Sequence, residues 1–198
     1  MNVKIKSTLF AIVVISLILS CNAEPTTTYD KIVQQELAKG QRFDSLFLGF
    51  YFGMQSNQFF DTCTEMNKMG LITAGMGGAK VLYKIKDALQ YPASMNFYPN
   101  FYQNKIFHMS VSYTYDAWAP WNKGMFADSL ETRLVDLYKK QYPGNDFIKI
   151  KNKENIDEFF KVDGNRRIII GISDEMTVNV GFTDLLIEEK IKKEVKNK

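Results

Sequence analysis

The sequence predicts an α+β fold, an antiparallel sheet packed with helices, and three observations carry that prediction. Residues 105–115 alternate: Phe107, Met109, Val111, Tyr113 and Tyr115 point one way while Ile106, His108, Ser110, Ser112 and Thr114 point the other, the period-two pattern of a half-buried strand. Residues 56–69 and 128–142 each place apolar side chains on one helical face behind a capping residue, Ser56 or Asp128. The order of helix followed by strand-like runs then occurs twice. Val111-Ser112-Tyr113-Thr114 precedes Val180-Gly181-Phe182-Thr183 by 69 residues and the two caps lie 72 apart, as in two tandem repeats of a helix plus a three-strand meander. Two unrelated stretches of alternating strand would leave the same trace.

The chain opens on a leader. Lys4 and Lys6 precede an apolar run from Leu9 to Leu19, which Ile18-Leu19-Ser20-Cys21 closes. Such a run is shorter than the roughly 20 residues that span a bilayer as a helix, so it reads as an export signal with small Ser20 placed for cleavage before Cys21. Those four residues resemble the lipobox of bacterial lipoproteins. The resemblance implies loss of residues 1–20, a Cys21 thiol carrying diacylglycerol with palmitate as the accompanying acyl chain, and a membrane partner held through that lipid. Cleavage after Ala23, which would leave a free secreted protein, is the alternative. Asn22 rather than Asp follows the cysteine, which by similarity to enteric lipoproteins implies an outer-membrane address in the cell envelope. Residues 21–29, with Pro25 and three threonines, then form the lipidated cysteine and tether. Residues 30–125 form a first α+β half and 126–198 a second, ending in a charged helix.

Processing alters the charge and the thiol count. The formal charge of +3 falls to +1 when Lys4 and Lys6 leave with the signal, so no general electrostatic case for a nucleic-acid partner remains. With Cys21 acylated, Cys63 is the remaining thiol and no intramolecular disulfide can form. Cys63 shares an apolar helical face with Phe59 and Met66, where a thiol behaves as a small hydrophobe.

In chain order, Ile32, Val33, Glu36 and Leu37 form a short helical pattern that stops at Gly40. Phe43 to Met54 is a buried connection or strand leading to a turn. The helix capped at Ser56 ends before Gly70, and Gly75 to Lys80 reads as a turn. Strand-like runs follow at 80–86, 93–98 and 105–115. Asp128 with Glu131 three residues later has the pattern of a capping box, opening a helix with Leu130, Leu134, Leu137 and Tyr138 on one face. Further runs lie at 146–151, 158–162, 166–172 and 176–183, with Asp163-Gly164-Asn165 supplying hairpin chemistry. Asp184 can cap the last helix, in which Glu188 and Lys192 are spaced for an ion pair.

At Phe52-Gly53-Met54 the chain resembles small lipoproteins of Gram-negative outer-membrane assembly and the related β-lactamase-inhibitor-like domains. Those carry a Gly-Met or Gly-Thr element introducing a helix. Over residues 46–115, with an echo in 125–183, the resemblance implies a helical pair followed by a three-stranded antiparallel sheet. Gln55 stands where the family has Ser or Thr, and Ser56 follows one place later.

No residue pattern announces catalysis. His108 lacks a sequence signature that would place a nucleophile and a carboxylate beside it, and HExxH, CxxC and GxSxG are missing, so neither a catalytic residue nor a metal or other cofactor is assigned. Gly75 to Lys80 has Val81 where a phosphate loop needs Ser or Thr. The positive feature is aromatic: eleven Phe, Tyr or Trp between Tyr91 and Phe126. Phe97, Phe107 and Tyr113 are spent on packing. Tyr98, Phe101 and Tyr102, and beyond them Trp118 and Trp121, fall in connections, where flat rings can stack on a glycan or anchor a protein partner. Folding back over the sheet is their other possible use. The expected function is therefore a lipid-anchored, non-catalytic binding or assembly module of the envelope. A glycan- or cell-wall-acting enzyme using carboxylates and an inhibitor of a secreted enzyme are the alternatives.

Overall fold

Alternation builds the sheet and the two helical stripes cover it. The computed structural model describes residues 27–152 and 154–197; the leader, Cys21 and the tether through residue 26 lie outside the described residues. Residues 33–198 make up one unit. In order the elements are α1 (Thr28–Ala38), α2 (Ser56–Lys68), β1 (Ile72–Ala74), β2 (Val81–Ile85), β3 (Ala93–Tyr102), β4 (Lys105–Tyr115), α3 (Ala127–Gln141), β5 (Ile148–Lys151), β6 (Asp157–Asp163), β7 (Arg166–Ile172), β8 (Thr177–Asp184) and α4 (Leu185–Lys196). The class is α+β, as the periodicities require.

All eight strands join one antiparallel sheet in the order β1-β2-β3-β4-β8-β7-β6-β5. Each half thus contributes two helices and a four-strand meander rather than one helix and three strands; in the first half the additional strand is β1, whose three residues are too few to show a period, and in the second it is β5. The two meanders meet through their last strands. Val111 and Val180, which the 69-residue offset equates, stand directly opposite each other. That is where a two-fold axis relating two such meanders would cross the sheet. A continuous apolar row, Val81, Phe97, Val111, Val180, Ile170 and Phe159, runs across six strands through that point. With Met95, Met109, Tyr113, Val178, Phe182 and Ile168 it forms the floor of the core. Leu130, Leu134 and Tyr138 of α3 and Phe59 and Met66 of α2 lie against it. Each fully buried side chain of this kind contributes about 1.5–3 kcal/mol.

Several local expectations yield to tertiary pairing. Over 46–115 a single helix and four strands replace the helical pair and three strands that the resemblance implies. The alternation holds from Met109 to Tyr115 but inverts at the start of β4, where Ile106 is buried and Phe107 half-buried. The cause is a bulge in β4: Phe107 is left unpaired between the Asn100–His108 and Phe101–Ile106 pairs, which turns Ile106 to the core face. The Gly-Met element then holds the shifted strand, Gly53 donating to the Ile106 carbonyl at 2.8 Å and Ile106 to that of Met54 at 3.0 Å. Ser56 does not cap α2. Gln55 holds that position without a side-chain bond, and the Ser56 amide donates to the Asn104 carbonyl at 2.8 Å. Nor does Asp128 cap α3, because Phe126 precedes the first helical residue and the Ala127 amide is satisfied by the Glu175 carbonyl at 3.0 Å. Asp184 does cap α4, accepting from the Leu186 amide at 3.1 Å.

The β6–β7 hairpin turn is buried, which is unusual for a connection. Gly164 takes φ +53° there. Its amide donates to Glu36 at 3.1 Å, and Asn165 accepts from the Phe43 amide at 2.6 Å. Lys161 occupies a core-facing position of β6, and its ammonium reaches the Asn145 carbonyl and, at 3.3 Å, Asp163. Arg166 bonds the Ser45 carbonyl at 3.0 Å and lies over the Tyr142 ring. These bonds tie residues 36–45 to the second half of the sheet.

Candidate functional site

The aromatic residues singled out in the sequence do not converge. Tyr98, Phe101 and Tyr102 belong to β3 rather than to a connection, and they sit toward the hairpin where Tyr102 pairs with Lys105. Trp118 and Trp121 follow the other end of β4, where Tyr115 pairs with Ala93. Along β4 the partner of Tyr98, Ser110, lies five positions from Tyr115, and the partner of Phe101, Ile106, lies nine, so at about 3.3 Å per residue the groups are separated by roughly 17 to 30 Å. Phe101 packs on Phe59 and Phe60, and Tyr98 on Phe59. The Tyr102 hydroxyl donates to Glu194 of α4 at 2.6 Å. Trp118 is half-buried against Phe126. Only Trp121 among the five, 85% exposed, is left as an open ring.

What the fold does assemble is a cleft of about 750 Å³ on the helical side of the sheet. One wall is the short hairpin Leu46–Phe50 together with Leu71, the other is Leu137, Tyr138, Gln141 and Tyr142 of α3, and Tyr83, Met95 and Tyr113 form the floor. The volume is in the range of small-molecule sites. At the hairpin tip Leu48 and Gly49 both adopt positive φ, +52° and +82°. This is a two-residue turn of the kind that favours Asn-Gly, so a leucine there carries backbone strain of about 1 kcal/mol. The strained residue lines the cleft.

Four phenols surround it. Tyr142 donates to the Leu46 carbonyl at 2.8 Å, which fixes the hairpin against α3. Tyr113 and Tyr138 are 3% and 2% exposed and bond to each other at 2.6 Å. Burial drives both of their titrations far above the ordinary phenol range, so both stay protonated.

On the opposite face lies a second hollow of about 490 Å³ lined by His108, Ser110, Ser112, Glu158 and Asn179, with Gly171 and Gly181 in its floor. His108 is bracketed by hydroxyls, Thr183 at 2.9 Å from Nδ1 and Ser110 at 3.1 Å from Nε2. Thr183 in turn accepts from Arg167 at 3.1 Å, and Arg167 pairs with Glu188 at 2.8 Å. Burial and the nearby Arg167 lower the His108 titration. No carboxylate bonds the imidazole, so the arrangement lacks the group that would stabilise an imidazolium in a triad.

Carboxylates gather elsewhere. Burial raises the titration of Glu131, which faces Lys149, Asp157, Asp128 and Glu158, while bonds from Lys151 and Lys149 lower that of Asp157. Neither Glu131 nor Asp157 lines the cleft or the hollow. Burial pushes the Cys63 thiol up to about 11, the behaviour of a packing residue. Among the described residues no cluster of three His, Cys, Asp or Glu is placed to hold a metal ion, and no helix is long and apolar enough to cross a membrane. Sequence reasoning missed the cleft because its walls come from five elements, each of which reads locally as ordinary core. Comparison of the chain with protein-family models, with curated proteins and with solved structures finds no match.

Proposed function

We propose that this chain is a lipid-anchored, non-catalytic binding module of a bacterial cell envelope, attached through Cys21 and addressed to the outer membrane, with the cleft between the Leu46–Phe50 hairpin and α3 as its binding site. The observation that carries the binding part is the cleft itself: an open, mostly apolar cavity bounded by a strained leucine and by buried phenols that remain protonated. Preformed apolar cavities with few polar groups are suited to holding a ligand. His108, Glu131 and Asp157, whose titrations are displaced, do not line this cavity, and the displaced phenols that do line it stay protonated, which favours binding over acid–base chemistry there. The leader supports the anchor, since Ile18-Leu19-Ser20-Cys21 follows a charged and then an apolar segment.

Metabolic labelling with a radioactive fatty acid tests the anchor. Wild type is expected to take up label and fractionate with membranes, and Cys21→Ala to do neither. A wild-type chain that stays unlabelled sinks the lipoprotein reading.

A further inference from the structure

The Tyr113–Tyr138 pair leaves a hydrogen-bond donor over. Two phenols bonded only to each other carry two protons, and the single 2.6 Å contact uses one. The second hydroxyl proton has no acceptor among the described residues, although both side chains are almost wholly buried. Buried polar hydrogens are nearly always bonded, and an unmade bond there is costly. Both tyrosines line the cleft, Tyr113 in its floor and Tyr138 in its wall. The side chains of Met95, Leu137, Leu46, Phe47 and Leu48 around it are apolar, the Leu46 carbonyl is taken by Tyr142, and the Gln141 amide, which also lines the cleft, bonds neither phenol.

We propose that the cleft binds an uncharged amphiphile, an acyl chain lying along Leu48, Leu71 and Leu137 with an ester, amide or hydroxyl oxygen accepting the spare phenol proton of the Tyr113–Tyr138 pair. This rests on the cleft being the binding site, and not on the Cys21 anchor. An uncharged acceptor is required because no cation bonds either phenol, and the burial that keeps both phenols protonated penalises a carboxylate equally. A chain is favoured over a compact ring because Leu71 in the lining is itself half exposed and lies beside exposed Met69, so apolar surface continues from the cavity to solvent on that side. An apolar tail can leave by that mouth without meeting charge, while Lys86 and Asp87 sit at another part of the rim. Leu48 has a use here too: its left-handed backbone turns an apolar side chain onto the cavity at a position where Asn or Gly would be relaxed.

Monolauroylglycerol, kept below its micellar concentration, is the probe, titrated calorimetrically into the full-length Cys21→Ala chain so that its own lipid cannot compete. Saturable one-to-one binding is expected, with laurate at pH 8 at least tenfold weaker. The double variant Tyr113→Phe/Tyr138→Phe removes both partners of the pair, a change that costs the fold little, and is expected to weaken binding about tenfold. Leu71→Trp, at an exposed position, is expected to abolish it by filling the mouth. Binding seen only when the glyceride is supplied in phosphatidylcholine vesicles supports the same site and names the bilayer as source. Equal affinity for laurate, undiminished binding by the double phenylalanine variant, or binding that survives Leu71→Trp overturns the proposal. A wild-type chain that is fatty-acid labelled in cells, while its Cys21→Ala form binds no amphiphile, overturns this ligand class and leaves the anchored reading standing.

Discussion

His108 is the chain's one histidine, which makes its titration readable. Its ring lies over Gly181 on the open face, between Ser110 and Thr183, with Arg167 beyond Thr183 and Glu188 beyond Arg167. Burial first and Arg167 second lower its titration from the ordinary 6.5, against a smaller opposing pull from Glu188. The unfolded chain therefore takes up a proton at higher pH than the native protein does. Stability from this group is complete above pH 6.5 and is lost as pH falls toward the depressed native value. In thermal melts between pH 7.5 and 5, wild type is expected to lose stability below 6.5 faster than His108→Gln, which keeps hydrogen-bonding capacity without the charge. Parallel curves for the two proteins would show that Arg167 and burial do not act on this ring.

At the scale of elements, the β6–β7 turn separates a glycine's two demands. Gly40 and Gly164 both have positive φ, +64° and +53°, but a Cβ at Gly40 meets nothing within 4 Å, whereas at Gly164 it would come within 2.4 Å of the Gln41 carbonyl oxygen. Gly40→Ala is expected to cost about 1 kcal/mol, the left-handed penalty alone. Gly164→Ala must also push the 41–45 segment off the turn, breaking the bond that the Phe43 amide donates to Asn165 and the one that Ser45 accepts from Arg166, and is expected to cost about 3 kcal/mol or more in urea titration. Similar costs for the two would mean that the strap yields freely. The same turn shows how far local pattern reaches. Asp163-Gly164-Asn165 announces a hairpin, as Asp184 announces a helix start, because each signal lies within a few residues. Its burial is not legible, since the covering residues lie about 120 positions earlier. Likewise Met109 to Tyr115 displays its faces openly, but the inversion at Ile106 comes from the bulge at Phe107 that Gly53 and Met54 hold in place, and the supposed caps at Ser56 and Asp128 are displaced by carbonyls of Asn104 and Glu175. The Tyr113–Tyr138 pair joins a strand to a helix and leaves no spacing to read.

For the whole molecule, what matters is that the halves share one sheet. The apolar row through Val111 and Val180 has three members from each half, so neither meander can bury its last strand without the other. The strap adds a second tie, because residues of the first half, Glu36, Phe43 and Ser45, satisfy groups of the β6–β7 turn in the second. A chain assembled from two independent domains would unfold in two steps and would tolerate a lesion at the junction. This one is expected to unfold in a single cooperative transition, with amides of β3 and β7 exchanging hydrogen at the same opening free energy. Val180→Ala removes two methyl groups at the centre of the β4–β8 seam and is expected to cost about 2 kcal/mol. That loss should appear equally in the exchange of β3, in the other half, and of β7. Exchange that quickens in β7 alone would show the meanders to be separately stable, and the shared seam a surface where two finished halves touch.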